Sequence, residues 1–491
     1  MRATKIVCTI GPASRSEEVL ERLILAGMNV ARLNFSHGTH EEHAEVVARV
    51  RRISTKLGRA VAILQDLQGP KIRTGSLLNQ RPVVIAPGAP FTLTTEQVVG
   101  DASRVSTTYQ NLPGDVKAGD HILLADGLLE LEVTETTSSD VCCRVIHGGV
   151  LGEHKGINLP GVAVSAPALT EKDRDDLRFG VEQQVDFVAL SFVRQPSDLD
   201  AARQVIAEAR ASLYEKAAPD VRTIERSSSL GKNGEGVPII AKLEKPEAIT
   251  HLDAILEAAD GVMVARGDLG VELSPEKVPL LQKRIISRAN QLGIPVITAT
   301  QMLESMVTQP RPTRAEASDV ANAILDGTDA VMLSEETASG SYPVEAVEMM
   351  VRIARETEPA MHSHPQIQYE EASLARAVSR AAHTLASEAS VQAIVVFTRS
   401  GASAHLISKE RPRVPIFAYT PFDAVYRQLA IWWGVAPRQI SIMNSTEKLI
   451  AEVSQRLEQE GAIQRGERVV IMGGMPVAGR ARTNFIKLHQ I

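Results

Sequence analysis

The sequence predicts an α/β protein built on a (β/α)8 TIM barrel, with an inserted β-barrel domain and a C-terminal α/β domain. Three observations carry this reading. Eight short aliphatic runs recur between Lys5 and Met332, and seven of them lead directly or through a short loop into a helix-like segment. The stretch 69–167 breaks that rhythm, and a new α/β rhythm starts past residue 356.

The runs occupy residues 5–9, 29–33, 60–66, 187–190, 239–242, 261–264, 295–298 and 329–332. Continuous aliphatic character marks strands buried on both faces, as parallel strands covered by helices are. Eight such units are the number that closes a barrel, whose active site sits where the strands end. An open doubly wound sheet is the competing arrangement. Run 60–66 is followed by the long insertion, where short alternating stretches such as 128–133 are broken by Gly, Pro and Asn, the pattern of half-buried strands. A polar segment, 212–235, interrupts the barrel before its fifth strand and reads as a solvated loop. After a second polar stretch, 359–371, come a helix-like 374–387 and strands at 393–398, 416–419 and 468–472. The expected domains are 1–68 with 168–355 for the barrel, 69–167 for the insert and 356–491 for the last unit.

Composition agrees. A chain of 491 residues suggests about three domains. Hydrophobic residues make up 44% but aromatics only 3%, so the core is aliphatic. A formal charge of −6 and a pI near 6.1 argue against a nucleic-acid partner, leaving local basic residues to carry any anion recognition. Cys8, Cys142 and Cys143 form neither a disulfide framework nor a zinc pattern, and Cys8 reads as a small core residue. No apolar run reaches membrane-spanning length, and the first strand follows Met1-Arg2-Ala3-Thr4 too closely for a signal peptide. A soluble, cytoplasmic protein is expected.

Two of the runs end in charge: Lys242-Leu243-Glu244 and Arg266-Gly267-Asp268. Residues 246–259 between them have helical character, so Glu244 and Asp268 should lie on neighbouring parallel strands at the same end. Two hard oxygen ligands and the Lys242 ammonium then meet at one mouth. Singly, each carboxylate suits a helix cap or an ion pair equally well. Jointly, with Gly267 allowing close backbone approach, they suit Mg²⁺ or Mn²⁺, which bind through one or two carboxylates plus substrate oxygens.

The segments Met28-Asn29-Val30-Ala31-Arg32-Leu33-Asn34-Phe35-Ser36-His37-Gly38, Asp66-Leu67-Gln68-Gly69-Pro70-Lys71-Ile72-Arg73, Thr300-Gln301-Met302-Leu303-Glu304-Ser305-Met306 and Arg311-Pro312-Thr313-Arg314-Ala315-Glu316, with the Lys242 and Asp268 strands, resemble the pyruvate kinase family. The likeness runs from Lys5 to the C-terminus and is strongest in the barrel. It implies a barrel, a β-rich lid and an α/β regulatory domain, acting on phosphoenolpyruvate and ADP/ATP in glycolysis. It also implies a homotetramer with a sugar-phosphate or nucleotide effector, and no membrane partner.

The resemblance assigns roles by position. Lys242 steadies the transferring phosphoryl group and the enolate oxygen, and Arg32, Gly267, Asp268 and Thr300 join it around the substrate. Thr300 is the proton-relay threonine, with Ser334 and Glu336 in its network; a threonine hydroxyl is too weak an acid to act without ordered water. Arg32 and Arg73, read as ending or following the second and third strands, hold the phosphoryl group through planar guanidinium forks. Arg32, Asn34, His37, Arg73 and the lid lysine Lys155 face the nucleotide, and Asp126 lies near the cleft. Asn34, Ser36, Asp66 and Leu67 correspond to a monovalent-cation site, but Lys71 stands where potassium-requiring members carry an acid. A tethered ammonium has the charge of K⁺, so K⁺ is not expected to be required. In the last domain Thr398, Arg399, Ser400 and Ser403 resemble an effector loop, with Arg480 or Arg482 assisting; a loop leading into a helix N-terminus suits phosphate. Two other functions fit part of the pattern, a metal-dependent barrel lyase or aldolase working through a pyruvate enolate and a catalytically silent metabolite sensor.

Overall fold

The computed structural model describes residues 2–162, 164–216, 236–361, 373–443, 445–475 and 482–491. Eight parallel strands close a barrel: β1 (Lys5–Thr9), β2 (Val30–Asn34), β3 (Ala62–Asp66), β4 (Phe187–Leu190), β5 (Ile239–Leu243), β6 (Gly261–Ala265), β7 (Val296–Ala299) and β8 (Ala330–Leu333). Each pairs with its neighbours in sequence and β1 pairs with β8, which eliminates the open sheet. Both faces of these strands are buried. Val7, Leu64, Ile240 and Met263 point into the barrel, while Ile6, Cys8, Ile63 and Val264 face the helices. This two-sided burial explains the unbroken aliphatic runs.

Register places the polar strand ends together. Asn34 lies opposite Asp66, Asp66 opposite Ala189, and Lys242 opposite Met263. The expected helix over 246–259 is two helices, Pro246–Thr250 and Leu252–Ala258, joined at His251. Residues 212–216 of the expected loop continue the helix Pro196–Lys216, and 217–235 lie outside the described residues. Of the polar stretch 359–371, residues 362–371 also lie outside them.

The insert after β3 is a six-stranded sheet in the order Ile157–Asn158, His121–Leu124, Leu129–Thr136, Asp140–His147, Pro90–Thr94 and Arg104–Ser106, with a two-stranded ribbon of Val83–Ile85 and Gly149–Leu151. Its strands alternate, with Leu129, Leu131 and Val133 buried in a core of their own.

The C-terminal domain has β9 (Ala393–Phe397), β10 (Ile416–Thr420), β11 (Val435–Gln439), β12 (Arg468–Gly473) and β13 (Phe485–Gln490) in the order β11-β10-β9-β12-β13, the last antiparallel. Strands β11 and β13 were not foreseen. Both are edge strands with little buried surface, and Pro437 and the charges of β11 and β13 disguise them. This domain closes the bottom of the barrel, where Leu429, Ile431 and Trp432 join the cluster of the barrel interior. Lys409 and Arg411 pair with the fully buried Asp329 just before β8, at 2.6 and 3.0 Å. Such buried pairs specify the docking geometry more than they stabilise it.

Candidate active site

Lys242, the fourth residue of β5, is almost fully buried, with its ammonium at the barrel mouth. Nζ donates to Ser191 Oγ at 2.7 Å and lies 2.8 Å from Glu244 Oε1 and 3.2 Å from Asp66 Oδ1. Burial works against the charge, but Asp66 and then Glu244 outweigh it and hold the ammonium above the usual lysine range. Asp66 is likewise opposed by burial, yet Arg32 and Lys242 keep it below the usual carboxylate range; Arg32 Nε approaches Asp66 Oδ2 at 2.6 Å. Glu244 goes the other way. Burial, with the charge of Asp268, raises it despite Lys242 and the Phe192 N–H, which donates to Oε2 at 2.7 Å.

A raised carboxyl beside a second carboxylate fits a divalent cation, whose charge would relieve both. Among the described residues no cluster of three or more His, Cys, Asp or Glu forms a closed metal cage. Two carboxylates completed by substrate oxygens and water are the donor set that suits Mg²⁺. Asp268 does not end a strand as expected. It sits, half-buried, in the first turn of the helix Arg266–Leu273, which follows β6 without a loop.

Thr300 follows β7 with φ of +68°, and Gln301 has +53°, a left-handed pair of non-glycine residues. Such backbone costs roughly 1–3 kcal/mol per residue and persists where the surroundings over-determine it. Here they do: Thr300 Oγ1 donates to Ala299 O at 2.7 Å and accepts from Gly267 N–H at 2.8 Å. Arg266 adds bonds to Ala299 O (3.2 Å) and Thr300 O (2.8 Å) while paired with Asp319. A β-carbon on Gly267 would stand 3.5 Å from the Thr300 hydroxyl, an ordinary contact, so the glycine keeps the mouth open rather than relieving a clash. After β8, buried Glu336 accepts from Leu303 N–H (3.0 Å) and Ser334 N–H (2.6 Å), and burial raises its pKa.

A cleft of about 2120 Å³ opens above these groups, lined in part by Arg32, Asn34, His37, Lys71, Asp126, Gly267, Asp268, Thr300, Ser334 and Glu336. Burial, then Arg73, Lys71 and Arg32, hold His37 below the usual imidazole range. Two of these cations, Arg32 and Lys71, line the cleft itself and favour anions there.

Other expected residues lie elsewhere. Arg73 follows β3 without ending it; it bridges to Gly156 at the root of the insert, donates its backbone N–H to Thr108 Oγ1 at 2.9 Å, and is absent from the cleft lining. Lys155 is exposed on the insert, its backbone tied to Thr74. Of the monovalent set, Asn34 Oδ1 accepts from Ser36 N–H, Asp66 is held by Arg32 and Lys242, and Leu67 O accepts from Ser191 Oγ at 2.7 Å. Lys71 is exposed at the cleft edge.

In the last domain Thr398 Oγ1 accepts from Gly401 N–H at 2.8 Å, Ser403 Oγ meets Thr483 Oγ1 at 2.6 Å, Arg399 lies 5.0 Å from the Phe422 ring, and Ser400 is exposed. The loop follows β9, where strand order reverses between β10 and β12, the place where open α/β sheets form a crevice. Arg482 is exposed and Arg480 lies outside the described residues.

Ser191, Phe192, Thr9 and Arg266 were missed as site residues. Thr9 Oγ1 accepts from Arg32 Nη1 at 2.9 Å. Ser191 was within reach of sequence reasoning, as a polar residue directly after the β4 run. Phe192 was not, because its part is played by its N–H, held by a φ of +56°.

The family model for the pyruvate kinase barrel domain matches residues 1–214 and 210–347, and that for the pyruvate kinase alpha/beta domain matches 376–489. Pyruvate kinase 2 of Synechocystis sp. is 47% identical over 493 residues, covering 100% of this chain and 79% of its own. The pyruvate kinase of Geobacillus stearothermophilus is 45% identical, with 100% and 80% covered, and that of Clostridium acetobutylicum is 42% identical, with all of both covered. The crystal structure of a pyruvate kinase from Cryptosporidium parvum superposes with a TM-score of 0.88 at 37% identity, covering 100% of this chain and 96% of that one.

Proposed function

The chain belongs to the pyruvate kinase family and is a phosphotransferase that moves the phosphoryl group of phosphoenolpyruvate to ADP, giving pyruvate and ATP; we propose the following roles for its residues. The observation that carries the assignment is the Lys242 ammonium, held charged between Asp66, Glu244 and Ser191 at the barrel mouth. It meets the phosphoryl oxygens in flight and the enolate oxygen left behind, charge that develops in the transition state where a preorganised donor acts most strongly. Arg32, fixed by Asp66 and Thr9, offers its remaining donors to the phosphoryl group. Glu244 and Asp268 would hold Mg²⁺ or Mn²⁺, which when bound supplies charge neutralisation to the phosphate and enolate oxygens.

Carbon of the enolate must then take a proton. Thr300, pinned between Gly267 N–H and Ala299 O, orients the ordered water that delivers it, and Glu336, whose raised pKa suits proton storage, feeds this network with Ser334. His37 and Asn34 face the nucleotide from the cleft wall, and Arg73 and Lys155 approach it from the insert, which acts as a lid that excludes water. Lys71 supplies the monovalent charge beside Asn34, Ser36, Asp66 and Leu67, so K⁺ is not required. We place the domain limits at 1–68 with 168–355, 69–167 and 356–491, an effector phosphate at Thr398, Arg399, Ser400 and Ser403, and the enzyme in the cytoplasm as a homotetramer. No described helix is long and apolar enough to cross a membrane.

A barrel lyase or aldolase and a silent sensor are not favoured: the family match runs the length of the chain, and Lys242, Glu244, Asp268 and Thr300 are all present. The test is ATP formation from phosphoenolpyruvate and ADP with Mg²⁺ and no added K⁺. Absence of ATP with and without K⁺ overturns the assignment of these residues; activity only with K⁺ overturns the role of Lys71.

A further inference from the structure

Glu272 is buried near the end of the helix Arg266–Leu273, the helix whose first turn holds Asp268. Its Oε1 takes two donors from different parts of the chain. Lys245 Nζ, from the residue after Glu244, lies at 2.6 Å, and Asn158 Nδ2, from the inserted sheet, at 2.9 Å. Asn158 is held in register on Ile157–Asn158, opposite Leu123. Lys245 Nζ also stands 5.6 Å from the centre of the Phe192 ring, and Phe192 donates its N–H to Glu244. Gly127 of the insert also comes close to the helix Arg266–Leu273: a β-carbon built on it would lie 3.9 Å from Val271. One buried carboxylate thus joins both metal-carboxylate elements to the lid, and the lid reaches it through a single neutral donor.

We propose that Asn158 and Glu272 form the latch that holds the lid closed over the nucleotide, with Glu272, Lys245 and Phe192 as positioning residues that tie closure to the placement of Glu244. The inference rests on the assignment of Glu244 and Asp268 as metal carboxylates and of the cleft as the nucleotide site. A nucleotide that binds the closed form loses apparent affinity in proportion to the closed fraction, whereas phosphoenolpyruvate, held by barrel residues, does not. Breaking the latch therefore separates the two substrates.

The experiment is steady-state ATP formation by the full chain with Mg²⁺ at pH 7.5, varying ADP and phosphoenolpyruvate in turn. Asn158→Ala should raise KM for ADP about tenfold, the scale of one lost hydrogen bond to a charged group, and leave kcat and KM for phosphoenolpyruvate within twofold. Asn158→Asp, which sets a second carboxylate against Glu272, should raise KM for ADP further, in the order parent, Asn158→Ala, Asn158→Asp. A general loosening of the fold would move both KM values and the thermal midpoint together. Equal rises in both KM values, an ADP KM within twofold of the parent, or a reversed order of the two variants overturns the latch. Glu244→Gln separates the two layers: loss of activity there with an unmoved Asn158→Ala removes the latch alone, and retained activity in Glu244→Gln overturns the metal assignment on which it rests.

Discussion

Replacing Lys242 by Met removes an ammonium that touches three oxygens within 3.2 Å and leaves its volume nearly filled. Losing one preorganised transition-state donor typically costs about 3–4 kcal/mol, and each ~1.4 kcal/mol is tenfold in rate. Turnover should therefore fall by at least about 10²-fold. Folding suffers too. Removing one partner of a buried pair costs roughly 3–5 kcal/mol, but Arg32 stays on Asp66 at 2.6 Å, so the uncompensated charge is that of Glu244. That carboxyl is already raised by burial and by Asp268, and without the lysine it rises further. Protons then compete with the cation more strongly as pH falls, so Lys242→Met should retain Mn²⁺ binding at pH 8 and lose more of it than the parent does at a lower pH. Coupled ATP formation and calorimetric Mn²⁺ titration at both pH values measure the two effects. Turnover within about tenfold of the parent, a barrier change of ~1.4 kcal/mol, would refute the reasoning, as would an outright loss of metal binding at pH 8.

Three further outcomes are expected. Thr300→Ala should slow exchange of the methyl protons of pyruvate more than it slows phosphoryl transfer, measured by deuterium incorporation against single-turnover ATP formation; equal losses would reduce Thr300 to a positioning residue. Activity of the parent should be nearly equal in tetramethylammonium and in K⁺ buffer, and Lys71→Glu should create K⁺ dependence; strong K⁺ activation of the parent would show that Lys71 does not supply the charge. His405 stacks on Trp432 with ring centres 3.7 Å apart, and burial, then Lys409, pushes its pKa down to about 3. The unfolded chain takes that proton below about pH 6.5 while the native one does not, so the stability contribution is complete above that value and is lost as pH falls towards 3, at about 1.4 kcal/mol per pH unit. Urea midpoints at pH 7 and 5 should show this slope in the parent and a shallower one in His405→Phe; identical slopes would place the imidazole in contact with water.

The eight barrel strands, the position of the insert and the charged segments at the barrel mouth were legible in the sequence because each rests on a local rule. A strand buried on both faces is aliphatic until it reaches the barrel mouth, as residues 239–241 and Gly261–Ala265 are, and a charge such as Lys242 is carried only at that end, where partners meet it. The edge strands Val435–Gln439 and Phe485–Gln490 escaped the same rule, since a strand with a solvated edge need not be apolar. What joins residues distant in the chain was decided only by tertiary structure. Barrel closure and register bring Asp66, Ser191 and Glu244 to within about one hydrogen-bond length of the Lys242 ammonium, and docking of the insert sets Asn158 on Glu272. The protonation of these groups followed from that convergence. Asp66 lies low and Glu244 high because a carboxyl's pKa reports the charges and burial around it, which no stretch of neighbouring residues contains.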